Sequence, residues 1–509
     1  MTNGKPVRYL VLAVLLALIL GPAGVAAALP YPDVPADSLT QVTDRSPFEH
    51  SFPACNDGAR QTGRNYLNSE VEPQVDVDPT NPQHIVGAWQ QDRWSNGGAN
   101  SLVAGVSIDG GDTWTQVPIQ GITRCGGGGE YERATDPWVS FAPNGDVYFM
   151  SQTFNNTNAT NAQLVSKSTD GGFTWSDPIT LIRDTAGTVL NDKVALTADP
   201  TNADYAYSVW TRLVFPDARA SATAGERALG FRGPTWFART TDRGKTWENA
   251  RMIYDPGQVN QTIGNQIVVL PDSFDGKADG NGTLVNAFNL IYNYKNTGKV
   301  RGHNVAVMRS TDKGKTWSSP TIVSKLGQVQ VTDPDTGQLV RTGDINPDVA
   351  VDRSSGALYL VWQDARFSGG ARAGIAFSKS TDGGRTWSAP VQINQVSSVS
   401  AFTPTVHVAD DGTIGVSYYD FRNNTDSQPL DTDYWLVHSH DGGATWTDEN
   451  HIAGPFDMKW APDSPGRGFF VGDYEGLTAV GNSFLPFFVQ ANSDNANNAS
   501  DVYSTRVGP

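Results

Sequence analysis

The sequence predicts an all-β chain folded as a β-propeller of four-stranded blades. Three observations carry that reading. First, a short motif, Ser/Thr-x-Asp-x-Gly-x-Thr-Trp, occurs six times: SIDGGDTW (107–114), STDGGFTW (168–175), TTDRGKTW (240–247), STDKGKTW (310–317), STDGGRTW (380–387) and SHDGGATW (439–446). Second, its tryptophans recur 59 to 72 residues apart, the spacing of a repeated supersecondary unit. Third, three strand-like runs precede each copy and a fourth follows its Trp, which is the make-up of a blade.

The runs are taken in order. The first unit has Pro73–Val77, His84–Trp89 and Leu102–Ser107; the second has Pro137–Phe141, Asp146–Ser151 and Gln163–Ser168. The third has Lys193–Thr197, Tyr205–Trp210 and Thr235–Thr240; the fourth has Gln266–Leu270, Leu284–Tyr292 and Asn304–Ser310. The fifth has Pro347–Val351, Ala357–Trp362 and Gly374–Ser380; the sixth has Pro404–Val408, Ile414–Tyr419 and Tyr434–Ser439. A seventh unit lacks the motif: Gly472–Val480, Ser483–Gln490 and Asp501–Val507 supply three strands. The chain between Cys55 and Glu70 is expected to add the fourth and close a seven-bladed ring, which removes exposed edges. Six blades with an extra hairpin is the other count.

The N-terminus reads as an export signal over residues 1–28: Lys5 and Arg8, an apolar run from Leu10 to Leu20, then Ala26-Ala27-Ala28 as a cleavage site. The apolar run is short for a membrane span. A secreted or cell-envelope protein with no integral span after signal removal is expected, with 29–65 as an extended lead-in and 66–509 as the propeller. The formal net charge of −16 argues against a nucleic-acid backbone or an anionic membrane as partner. The two cysteines, Cys55 and Cys125, suit one disulfide in an exported chain; two free buried thiols are the other reading. No cofactor or metal is expected. The motifs are too short for a calcium loop, and His438 and His440 alternate onto one strand face without an obvious third ligand. The glycine run 126–129 lacks the Lys-Ser/Thr of a phosphate loop.

The motif's residues have local work: the Asp accepts backbone N–H groups across a turn, glycine permits positive φ, and the Trp packs between strands. The turn joins strands three and four. Chemistry is therefore expected at the opposite mouth, where first strands start and second strands end. Polar residues recur there: Glu70, Glu72, Asp136, Asp192, Asp344, Asp348 and Asp473 on first strands, and Asp92-Arg93, Arg212, Asp364/Arg366 and Asp420/Arg422 after second strands, beside Trp89, Trp210, Trp362 and Tyr419. Charges and aromatic platforms around one funnel suit a sugar.

The repeated motif is the Asp-box, or BNR repeat, and over roughly 66–509 the chain resembles bacterial exo-sialidases and the wider sialidase-like superfamily. The resemblance implies removal of terminal sialic acid, with an arginine cluster on the sugar carboxylate, an Asp general acid and a Tyr nucleophile assisted by a Glu. Carried onto this chain, it implies Arg93, Arg212, Arg366 and Arg422 as the arginine cluster, with Asp364, Asp420 and Trp362 beside them. Asp92 or Asp136 stands for the acid, Tyr474, with Tyr419 second, for the nucleophile, and Glu132 or Glu72 for its partner. The family's Phe/Tyr-Arg-Ile-Pro signature is absent; Asp92-Arg93-Trp94 is the nearest segment. A monomeric glycan-directed hydrolase is the leading expectation. A non-catalytic propeller that binds glycan or protein, or a hydrolase or lyase with another substrate, is the alternative.

Overall fold

The computed structural model describes residues 1, 38–49, 61–217, 232–274, 282–293, 300–425, 429–447 and 449–508. The expected signal at 1–28, apart from Met1, and Cys55 lie outside them. Among the described residues no helix is long and apolar enough to cross a membrane.

The chain is all-β, built of four-stranded antiparallel sheets in a propeller-like arrangement. The strands Glu70–Val77, Ile85–Arg93, Ala99–Ser107 and Thr115–Pro118 form the first unit. A single pair, Ala99 with Ala134, joins it to the second, which runs from Arg133–Phe141 to Ile179–Asp184. Separate four-stranded sheets follow, starting at Val189–Ala198, Asn260–Val269, Asp348–Val351 and Ala401–Val408.

The last sheet corrects the expected source of its fourth strand. Thr40–Gln41, not the chain after Cys55, pairs with Ser500–Ser504, beside Ser483–Ala491 and Gly476–Val480. The Val42 amide continues the ladder to the Val502 carbonyl at 2.8 Å, and the Thr43 hydroxyl donates to Asp501 at 2.9 Å. Residues 65–68 have different work. Asn65 bridges Trp94, and the Tyr66 amide bonds the Arg93 carbonyl at 2.7 Å. They brace the end of the first unit's second strand.

The motif makes the same local network in every copy. In the first, the Ser107 hydroxyl donates to Asp109 Oδ1 at 2.8 Å and accepts from the Gly111 amide at 2.8 Å. Asp109 also accepts the Thr113 amide at 2.9 Å and hydroxyl at 2.6 Å. Its Trp packs on the preceding sheet: Trp317 lies 5.7 Å from Phe237, Trp446 5.0 Å from Phe377, and Trp114 5.3 Å from Phe487 of the last sheet. First strands are also linked side to side. Asp76 accepts the Phe141 amide at 2.8 Å, Ser140 accepts the Ala198 amide at 3.1 Å, Thr197 donates to the Ile267 carbonyl at 2.6 Å, and Asp348 accepts the Val406 amide at 2.7 Å.

Two excursions from the repeat, absent from the sequence expectations, form a small cap. Val331–Thr332, Leu339–Arg341, Gly468–Phe470 and Asp463–Ser464 make a mixed sheet in which Val340 and Arg341 run parallel to Phe469 and Phe470.

Asp382 tests the turn network. Burial opposes its ionisation, but bonds from the Thr386 hydroxyl and amide and from Ser380 outweigh burial and hold its carboxyl down to about 2. Its contribution is therefore full above the ordinary aspartate range and lost as pH falls from about 4 to about 2. Asp382→Asn is expected to lower stability by about 1 kcal/mol at neutral pH. Thermal melts across pH should show the parent converging on the variant in that acid window.

Candidate functional site

The first strands carry a recurrent backbone irregularity near their starts. Register shifts flank Glu72, Asp136, Lys193, Gly264 and Thr403, and these residues hold φ of 54°, 49°, 52°, 64° and 50°. Such left-handed positions cost a non-glycine residue of order 1–3 kcal/mol and re-aim its side chain. They lie at the sheet end remote from the motif turns: Val71 pairs with Gln90, whereas Ser107, which opens the first motif, pairs with Ile85.

Three of these re-aimed side chains meet. Lys193 Nζ stands 3.4 Å from Glu72, 3.6 Å from Asp136 and 2.7 Å from Asp473, which precedes the last sheet. From the cap, Arg341 grips Asp473 with two bonds of 3.0 and 2.6 Å. The Phe470 ring takes the guanidinium carbons of Arg341 and Arg93 at 3.9 and 4.7 Å from its centre. Gln90 ties the floor together, donating to Glu72 and accepting from Arg93 at 2.6 Å. Tyr474 packs beside this cluster, its ring 5.8 Å from Trp138 and its hydroxyl donating to the Pro137 carbonyl at 3.5 Å.

Above this floor opens a cleft of about 650 Å³. Arg93, Asp136, Asp192, Lys193 and Asp473 line it below; Arg341, Asp344, Ser464 and Arg467 line it from the cap side; Asn96, Asn155, Asn156, Asn158 and Phe154 form a wall. That is a hollow of ligand size with amide, hydroxyl and charged groups converging on it.

The charges depend on one another. Burial works against the Lys193 ammonium, but Asp136, Asp473 and Glu72 outweigh it and raise its pKa. Burial likewise works against the Asp473 carboxylate, yet Arg341, Lys193 and Arg467 hold it well below the usual range. Glu72 is the group left short. Burial pushes it up to about 7, Asp136 and Asp473 add to that, and Lys193 only partly offsets it. Asp344, half-buried, is pushed up to about 6 by burial and by Asp473, against the pull of Gln328, Arg467 and Arg341. Burial, then the nearby carboxylates led by Glu72, raises the Tyr474 phenol well above its ordinary value.

Of the residues read from the sequence, the structure brings Arg93, Asp136, Asp192, Asp344 and Asp473 to the cleft and sets Tyr474 and Glu72 against its floor. It places the other sequence candidates elsewhere. Asp92 is buried and spent, accepting from Ser46 at 2.7 Å, the Asn68 amide at 2.8 Å and Asn100 at 3.1 Å. Glu132 holds the wall loop by accepting the Asn156 and Thr157 amides at 2.7 and 2.9 Å. Arg212 is paired with Asp184 at 3.0 and 2.6 Å. Arg366 closes back on Asp364 at 2.7 Å, and the same carboxylate takes the indole N–H of buried Trp362 at 2.7 Å. Arg422 pairs with Asp420 at 2.7 Å and with Glu449. Cys125 is disulfide-bonded, and Cys55 is the sequence's one other cysteine. His438 and His440 each bond a threonine, Thr447 at 3.1 Å and Thr413 at 3.0 Å. Among the described residues no cluster of His, Cys, Asp or Glu could hold a metal.

Sequence reasoning missed Lys193, Arg341, Arg467 and Phe470. A signal existed for the floor: Glu72-Pro73, Asp136-Pro137, Asn346-Pro347 and Thr403-Pro404 stand at one repeat position, with Lys193 in register. The cap residues had none, because they fall outside the repeat.

Residues 289–467 match the model of the BNR repeat-like domain family. No curated protein matches the chain. Among solved structures the chain is similar to the Hadza microbial sialidase Hz136, with 15% identity over 84% of this chain and 74% of that one and a TM-score of 0.47. It is similar to the alpha-L-arabinanase of Penicillium chrysogenum, with 11% identity, 92% and 98% coverage and a TM-score of 0.45. It is also similar to the NanB sialidase of Streptococcus pneumoniae, with 12% identity, 88% and 70% coverage and a TM-score of 0.42.

Lys193→Met tests the floor. Removing one partner of a buried ionic cluster is expected to cost about 3–5 kcal/mol at neutral pH. The deficit against the parent should shrink as pH falls from about 7, where Glu72 takes up its proton, through the acid range in which the other stranded carboxylates follow. A deficit independent of pH in thermal melts would show that Lys193 contributes packing alone.

Proposed function

We propose that the protein is a glycoside hydrolase acting in the cleft between the first-strand bulges and the cap. The observation that supports it is Asp344: a half-buried carboxyl raised to about 6, in a cleft whose floor presents Asp136 in contact with Lys193. Glycoside hydrolysis needs such a pair. One carboxyl, protonated near neutral pH, gives its proton to the leaving oxygen. The other serves as nucleophile, base or counter-charge to the developing oxocarbenium ion. Asp344 takes the first role and Asp136 the second. Tyr474 is a weaker nucleophile here than the resemblance implies, because burial, and then the carboxylates around it, disfavour the phenolate. The walls of asparagine and threonine offer donors and acceptors to sugar hydroxyls.

The same reading makes the chain a seven-bladed ring closed by Thr40–Gln41 on the last sheet, exported by the 1–28 signal and acting as a monomer. Exo-sialidase action is its narrowest form; a hydrolase with another glycan is the broader one that the departures from the sialidase pattern favour.

The test is product release from a panel of aryl glycosides and polysaccharides that includes α-sialosides and α-L-arabinosides. The parent is expected to cleave at least one, with a rate that falls as pH rises through about 6, since Asp344 must be protonated to act. Asp344→Asn should lower kcat by about 10²- to 10⁴-fold with an unchanged melting temperature. No release from any member across pH would overturn the hydrolase reading in favour of a binding propeller.

A further inference from the structure

Resting on that hydrolase reading, we propose that the cleft takes an uncharged glycan and discriminates against sugars bearing a carboxylate. The argument is an account of cationic donors. Four basic residues line the cleft, Arg93, Lys193, Arg341 and Arg467, against four acids, Asp136, Asp192, Asp344 and Asp473. In the hydrolase reading Asp344 holds a proton, and Glu72, under the floor and within 3.4 Å of Lys193, takes its place as the fourth acid. Four acids against four bases leave little positive charge for a sugar carboxylate to meet.

The individual donors are committed as well. An ammonium has three N–H groups, and Lys193 faces three carboxylates at 2.7 to 3.6 Å. Arg341 spends its forked edge on Asp473. A second carboxylate could meet only the end-on Nη1–Nη2 pair, whose Nη2 is already bound to Asp473, and Asp473 would oppose its charge. Arg467 lies in the field of Asp473 and Asp344. Arg93 is 2% exposed and donates to Gln90 at 2.6 Å, so it offers a ligand carboxylate no open fork. The amides of Asn96, Asn155 and Asn158 complete a surface that reads hydroxyl groups without favouring charge.

The experiment uses the full chain carrying Asp344→Asn, so that ligands are bound without cleavage, against an array of neutral oligosaccharides and of sialylated and uronate-bearing ones. Binding of at least one neutral glycan, at least tenfold tighter than its carboxylated counterpart and insensitive to added salt, is expected. Adding Asp473→Asn frees Arg341 and is expected to narrow that gap by at least tenfold. If this variant fails to fold, the salt dependence of the Asp344→Asn protein decides. A carboxylated glycan bound as tightly as the neutral one, through a salt-sensitive interaction, would overturn the inference while leaving the hydrolase reading standing. Binding of no glycan, together with no hydrolysis by the parent, would overturn both.

Discussion

Lys193 is the group on which the candidate site depends. Its ammonium sits among carboxylates supplied by the first unit, the second unit and the segment before the last sheet, so one charge joins four separate parts of the chain. Without it, Glu72, Asp136 and Asp473 would face one another with only the arginines to offset them. Burial weakens the screening of that repulsion. The left-handed backbone at Glu72, Asp136 and Lys193 is the local cost of aiming all three at one point. Burial, with Asp136 and Asp473 adding to it, pushes Glu72 up to about 7, while Arg341, Lys193 and Arg467 hold Asp473 ionised against the same burial.

The molecule separates scaffold from chemistry along each strand. At one end, the motif aspartates are used up by hydroxyl and amide donors two to four residues away, and each Trp locks its sheet to the preceding one. At the other end, the bulges release side chains from the sheet and turn them toward the cleft. The links between first strands, such as Asp76 to Phe141 and Asp348 to Val406, keep neighbouring sheets in step between the two ends. A site that draws residues from several sheets needs that rigidity, since a displacement of about an ångström is enough to spoil a reacting geometry.

The sequence candidates that moved away from the cleft share a reason. Asp364/Arg366 and Asp420/Arg422 are visible as pairs because they are close in sequence, and being close they satisfy each other. A strand-end carboxylate that takes its own arginine and a neighbouring indole N–H has nothing left for a ligand. Asp92 is similar, its oxygens filled by Ser46, Asn68 and Asn100. Arg93, one residue on, points the other way along the strand and reaches the cleft. Asp92 has a left-handed backbone, with φ of 64°, and Ser46 and Asn68 supply it with partners that no spacing announced.

What the sequence determined by itself was whatever short-range bonding dictates. Six copies of an eight-residue turn, each closing its own hydrogen bonds, specify four-stranded units at a 59- to 72-residue period and place the motif aspartates in the scaffold. The acids near the first-strand starts, Asp136, Asp192, Asp344 and Asp473, were legible as a set because the repeat brings the start of each first strand to the same mouth. Tertiary structure alone decided which of them act together. The bonds that do so span long stretches of chain: 280 residues from Lys193 to Asp473, 132 from Arg341 to Asp473 and 121 from Lys193 to Glu72. Two excursions outside the repeat had to pair before Arg341, Asp344 and Arg467 could face the floor. Periodicity records which residues occupy equivalent positions, but charge neutralisation depends on distance in space, and that is set only when the sheets have packed.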